Sequence, residues 1–281
     1  MVHRPGKQQA IRSVRISWAD IKLIYQRLTT LVGAEADREI GGIQRPADKG
    51  EEEFAEEMRV LRARAFRITV TMNGRGGETL YGDEVSVFDS PNRPHHVNAV
   101  YMTNVTAYQG VAGRRPDNAF ELFFDFSKPP LLDANTFVSS PTPNNSNFSV
   151  EASSDAWVAA ASEAIDGVLR NKKIQRALIH RAFSYDFGLF FLAIPGTIYI
   201  SSRLAPAVEQ VSHGQIFLSA GIYIYLFLFM LYVFRILFGD TKWAFPTVEL
   251  AENPDHAIRH RVFWSAIVMG LIINFAYDLL T

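Results

Sequence analysis

Three stretches free of charge decide what this chain can become. Residues 187–202 (FGLFFLAIPGTIYISS) carry no charge between Asp186 and Arg203, and the apolar character resumes from Leu204 to Val208. Residues 214–234 (GQIFLSAGIYIYLFLFMLYVF) are uncharged up to Arg235, and residues 262–277 (VFWSAIVMGLIINFAY) run from Arg261 to Asp278. A helix rises about 1.5 Å per residue and bilayer hydrocarbon is about 30 Å thick, so a span needs about 20 residues. The second stretch meets this outright. The first and third meet it once Arg203 and Asp278 lie at an interface, where Arg203 can extend its charge into water. As core helices of a soluble protein they would need amphipathic partners, which the rest of the chain hardly supplies. The reading is a transmembrane region over 187–281, with spans at about 187–207, 214–235 and 262–280.

Bulk composition hides this division, at 48% hydrophobic, 20% charged and a net charge of −1 over 281 residues. Residues 1–183 hold 23 Lys+Arg and 22 Asp+Glu, whereas the remaining 98 residues hold 5 and 7. A near-neutral first part without a basic stripe speaks against nucleic acid as a partner. The absence of cysteine excludes disulfides, thiolate metal sites and a cysteine nucleophile, and fits a reducing compartment. The opening MVHRPGKQQAIRSVR is basic and leads into no apolar run of signal length, so residues 1–15 read as a flexible basic tail.

Orientation follows the basic residues. Arg170, Lys172, Lys173, Arg176 and Arg181 precede the first span without an acid among them, in a juxtamembrane segment that continues over 173–186. Arg235, Lys242, Arg259 and Arg261 lie between the second and third spans, while the first loop holds Arg203 beside Glu209 and His213. Both basic clusters belong inside. The expectation is a multi-pass protein of the cell's inner membrane, with a cytoplasmic N-terminal domain and Thr281 on the far side. Three glycosylation patterns, at Asn104, Asn144 and Asn147, would then never meet a glycosylating enzyme.

Residues 16–172 read as an α+β domain. Ser17 and Asp20 fit a capping box, followed by Ile21, Ile24, Tyr25, Leu28, Leu31 and Val32 at helical spacing. A second helix over about 50–65 begins with Glu51, Glu52 and Glu53 and ends with Arg62 and Arg64, a gradient that opposes the helix dipole. The two form an N-terminal helix pair. From Phe66 the period becomes two, and Asn73-Gly74 supplies hairpin chemistry. Strands follow near 78–82, 85–88, 97–108 and 119–127, then a polar loop from Ser139 to Asn147 and a short strand around Phe148 and Val150. An antiparallel sheet of five or six strands is expected, with a capping helix over about 155–171 that carries Trp157. Residues 147–169 (NFSVEASSDAWVAAASEAIDGVL) resemble the strand-to-helix end of pleckstrin-homology-like barrels, which implies a curved sheet capped by a helix. One aromatic on a helix is ordinarily core, so the resemblance carries no function.

The motifs give little chemistry. His256 and His260 share a helix face, as a metal pair would, but a polar helix entrance after Asn253-Pro254 explains them as well. His95-His96 follow Pro94 in a turn, and Asn73–Gly77 lacks the ending of a phosphate loop. Glu121 and Asp125 sit on the outward face of a strand. No catalytic residue, cofactor or metal is assigned. The basic run Arg170, Lys172, Lys173, Arg176 and Arg181 is the candidate membrane-surface contact, attracted to anionic lipid. Within the spans Gly188, Pro195, Gly196, Ala266, Gly270 and Asn274 are candidates for helix packing, kinking or interhelical hydrogen bonding. The expected function is a membrane-anchored binding or signalling module, its partner a cytoplasmic protein or small molecule and its spans self-associating. The alternatives are a defence-type effector whose spans form a pore or disrupt the membrane, and an unrecognised membrane enzyme.

Overall fold

The computed structural model describes residues 4–129, 142, 144–253 and 257–280, without side chains at 268 and from 271 onward. The fold is α+β, in two compact units. Unit 1 comprises Met1–Ser127, Asn144–Ile174 and Thr247–Pro254, and unit 2 the remainder.

Unit 1 opens with β1 (Gly6–Ala10) and β2 (Val14–Ile16), then α1 (Trp18–Gly41) and α2 (Glu51–Ala65). The hairpin β3 (Thr69–Gly74) and β4 (Thr79–Gly82) precedes β5 (Val97–Thr103), α3 (Val105–Ala112), β6 (Ala119–Asp125), β7 (Asn147–Glu151) and α4 (Asp155–Leu169). The sheet is antiparallel in the order β1-β7-β6-β5-β3-β4. Among the described residues its edges are β1 and β4, and the expected helix carrying Trp157 follows β7.

The elements form where the sequence places their apolar faces. Ser17 and Asp20 make both bonds of the capping box, and α1 buries Ile21, Ile24, Tyr25, Leu28 and Val32. Phe120, Leu122 and Phe124 of β6 and Val70 and Met72 of β3 are fully buried. Each such side chain contributes about 1.5–3 kcal/mol relative to exposure. Trp157, Ala161, Ile165, Val168 and Leu169 of α4 join this core.

Three expectations are corrected. Within the basic stretch 1–15, Gly6–Ala10 is no loose tail, since it pairs with β7 from Gly6↔Glu151 to Ala10↔Asn147. Residues Val85–Asp89 form a turn of 3-10 helix instead of a strand. The strand expected over 97–108 stops at Thr103, because buried Asn104 turns the backbone into the helical region. Its carboxamide donates to the Asn118 carbonyl (2.8 Å) and accepts from the Phe120 N–H (3.0 Å), taking over the strand's pairing.

In unit 2, α5 (Ala182–Gly188), a π-turn over Leu189–Ala193 and α6 (Ile194–Ser212) run on as one 31-residue helix. His213 and Gly214, both with positive φ, turn the chain into α7 (Ile216–Ala244). These two helices are long and apolar enough to cross a membrane, and their apolar side chains are largely uncovered, Ile216 at 81% and Phe217 at 94% exposure. The third stretch forms α8 (Ile258–Leu280). Two candidate spans thus stand where three were expected, since most side chains of α8's apolar half lie outside the described residues.

Candidate functional site

The segment that leaves α7 does not stay with the apolar helices. Val248–Leu250 forms β8, which pairs in parallel with β2 through Val14↔Val248, Arg15↔Glu249 and Ile16↔Leu250. Flanking bonds extend the ladder, from the Val14 N–H to the Thr247 carbonyl (3.1 Å) and from the Ala251 N–H to the Ile16 carbonyl (2.7 Å). Glu252 then accepts from the Trp18 N–H (3.0 Å), a helix-start donor with no partner inside α1. The Asn253 carboxamide donates to the Val97 carbonyl (2.7 Å) and accepts from the Val97 N–H (3.0 Å). The chain beyond α4 also joins β2, through a Val14↔Lys173 bridge and the bond from the Ile174 N–H to the Ser13 carbonyl (2.7 Å). One short strand therefore holds both the approach to the first apolar helix and the link between α7 and α8.

The basic run is dispersed among different tasks. Lys172 pairs with Asp20 (3.0 Å) and Arg170 with Glu163 (3.1 Å). Burial alone would raise the Asp20 carboxyl, but hydrogen bonds from Ser17 and Lys172 outweigh it and hold the group below its ordinary range. Arg176 donates to the Pro246 carbonyl (3.4 Å) and lies over the Phe245 ring. Lys173 makes no ion pair among the described residues, and Arg181 stands exposed at the start of α5.

Unit 2 gathers polar groups around the end of α7. Burial pushes the His180 imidazole below its ordinary value, against the Phe245 carbonyl and with the charges of Lys242 and Arg176. Neutral His180 must therefore donate from Nε2 to that carbonyl (2.6 Å) and accept at Nδ1 from the Thr142 hydroxyl (2.8 Å). Asp240 is held by His260 Nδ1 (2.8 Å) and by the Trp264 indole N–H (2.8 Å), and His260 meets the edge of Trp243. The expected partner of His260, His256, lies outside the described residues. No group of three metal-binding side chains occurs among the described residues.

Of the packing candidates, Gly188 is buried, and a Cβ there would stand 2.9 Å from the ring of Phe234 on α7. Pro195 follows the π-turn at the start of α6, where the Thr197 hydroxyl donates to the Ala193 carbonyl (2.6 Å). A Cβ at Gly196 or Gly270 would meet nothing within 4 Å, and Ala266 is exposed. The Asn274 side chain lies outside the described residues. Asn73–Gly77 is a plain hairpin turn closed by the Gly74 N–H on the Glu78 carbonyl (2.7 Å). Glu121 accepts from the Tyr101 hydroxyl and from Arg115 (both 3.0 Å). Sequence reading puts Asn253 at the N-cap of the third helix and Glu252 beside the histidines. The structure instead gives Asn253 to Val97 and Glu252 to the Trp18 N–H, and the helix starts at Ile258. Comparison with protein-family models, with curated proteins and with solved structures finds no match.

Proposed function

We propose that this chain is a membrane-anchored module whose α+β unit binds a cytoplasmic partner and whose apolar helices carry or localise the response. The observation behind this reading is β8. A strand drawn from between α7 and α8 is built into unit 1, so a ligand that shifts β2 or the start of α1 pulls on the three residues joining Ala244 to Val248. A coupling of this kind needs an element shared by the partner-binding unit and the apolar helices, and the buried β2–β8 pair is that element.

The two candidate spans also agree with the pairing. Strand partners cannot meet through a bilayer, so an even number of crossings must separate β2 from β8; the helices Ala182–Ser212 and Ile216–Ala244 supply two. With the basic residues on either side, this supports unit 1 and the α7–α8 link on the cytoplasmic face, and α8 as a third crossing. The apolar, aromatic surfaces of α5 to α7 suit contact with lipid and with further copies of the chain.

The test is fractionation followed by reconstitution. The protein should stay with membranes through an alkaline carbonate wash and should leave dye-loaded liposomes sealed. Release by the wash would overturn the anchoring. Dye leakage would instead favour spans that breach the membrane, a defence-type effector.

A further inference from the structure

Between β1, the turn into β2 and the end of α4 lies a cleft of about 250 Å³, bounded by Gln9, Arg12, Asp166, Leu169, Arg170 and Lys173 among others. Its charges do not cancel. Asp166, its one acid, is already engaged by Lys7 (2.8 Å) and Gln9 (3.1 Å). Arg170 has an exposed partner in Glu163. Arg12 and Lys173 have no ion pair or side-chain hydrogen bond among the described residues. Two exposed cations without an ion-pair partner among the described residues therefore line one cleft.

Both side chains are exposed, and the backbone that carries them is fixed. Arg12 is flanked by anchored backbone, the Ile11 N–H on the Ser146 carbonyl (2.8 Å) and the Ser13 carbonyl receiving the Ile174 N–H (2.7 Å). Lys173 is bridged to Val14. The last carbonyls of α4 account for cations nearby, since a helix C-terminus favours positive charge, but a half charge does not offset two full ones. A group with several acceptor oxygens and at least one negative charge does.

We propose that this cleft binds a phosphate group, with the Arg12 guanidinium as a two-pronged donor and the Lys173 ammonium as a point charge. The phosphate belongs either to a lipid headgroup or to a soluble phosphate. Lys173 stands nine residues before the first apolar helix at Ala182, within reach of a headgroup along the chain. Only the lipid arm rests on the membrane reading above.

The full chain in detergent is titrated with inorganic phosphate by calorimetry. In parallel it is reconstituted in discs of equimolar phosphatidylcholine and phosphatidic acid, and the lipid it retains is weighed by native mass spectrometry. The paired variant Arg12→Gln, Lys173→Gln should weaken phosphate binding by about a hundredfold, or abolish the preference for phosphatidic acid, because charge-assisted bonds are worth about a decade each. Loss of the first identifies a soluble phosphate, and loss of the second a headgroup. Lys172→Gln, which breaks the Asp20 pair outside the cleft, should bind like the parent. Equal loss in Lys172→Gln, unchanged binding in the paired variant, or no binding of either probe would overturn the site. Carbonate extraction of the same protein reports separately whether anchoring has failed.

Discussion

The Asn253 carboxamide occupies both backbone hydrogen-bonding groups of Val97, donating at 2.7 Å and accepting at 3.0 Å. In effect one side chain stands in for a strand residue beside β5. Val97 is buried, at 1% exposure, so neither of its groups has water as a ready substitute. Asn253→Ala should therefore cost about 2 kcal/mol locally. The measurement is hydrogen exchange: the Val97 amide should exchange at least tenfold faster, while amides in the middle of β6 keep their protection. Unchanged protection at Val97 would show that the contact is dispensable.

Acid should loosen the start of α1. The Asp20 carboxyl has a folded pKa below its ordinary 3.8, so its stabilising effect is complete above 3.8 and disappears as pH falls through the lowered value. Lys172→Gln removes one of the groups that lower it. The variant should lose stability relative to the parent near neutral pH, and the difference should vanish in acid once Asp20 is protonated in both. Thermal midpoints across a pH series would show this convergence.

Tyr108 gives the opposite sign at the alkaline end. Burial, then its hydrogen bond to Glu39 (2.8 Å), raise the phenol to about 12 from 10.0. The neutral phenol's contribution is thus full below 10.0 and is lost as pH rises towards 12. Tyr25 and Tyr101 are also raised by burial, so ultraviolet titration should show a late phase to which Tyr108 contributes one phenol. Tyr108→Phe should lower the amplitude of that late phase by one phenol and destabilise unit 1 by about 1–2 kcal/mol, as Glu39 and Arg114 lose a shared partner.

Gly188 and Phe234 should behave as a coupled pair. Gly188→Val places a branched side chain where a Cβ already meets the Phe234 ring at 2.9 Å, and Phe234→Ala opens the space. The double variant should recover about 1–2 kcal/mol relative to the sum of the singles, measured as thermal midpoints in detergent. Additive effects would mean that α5 and α7 do not pack here.

The cysteine-free chain makes topology directly readable. Gln215→Cys, in the exposed turn before α7, and Asp48→Cys, in the exposed connection after α1, should be labelled from opposite sides of sealed vesicles by an impermeant maleimide. Glycosylation is a poorer reporter than its sequence patterns imply. Both carboxamide atoms of Asn104 are bonded and buried, so it is closed to an enzyme in the folded chain, and the half-buried Asn144 donates to the Ile11 carbonyl.

What could be read from the sequence was whatever repeats. The 3.6-residue spacing after Ser17, the alternation through Phe120, Leu122 and Phe124, and the uncharged runs each appear as the helix or strand they imply. What could not be read depends on a partner distant in the chain. Gly6–Ala10 has no apolar alternation; it is a strand because β7 offers an edge. Asn104 and Asn253 look like loop residues, yet each replaces a missing ladder bond, and β8 is three residues whose partner lies at the other end of the sequence. The cleft failed to show for the same reason, since Lys173 stands out only as one of a basic run, and Arg12 not at all, until the fold brings them together.

The pairing of β2 with β8 also sets a timetable for biosynthesis. A ribosome releases β2 well before β8, which emerges only after both long apolar helices. Throughout that interval β2 presents an unpaired edge, the kind of surface on which nascent chains aggregate or attract chaperones. A chain stalled or truncated before Val248 leaves that edge bare for good. Completion of the globular unit thus certifies that translation has passed the second hydrophobic helix, and a quality-control protease that senses exposed strand edges would spare only molecules that have reached this point.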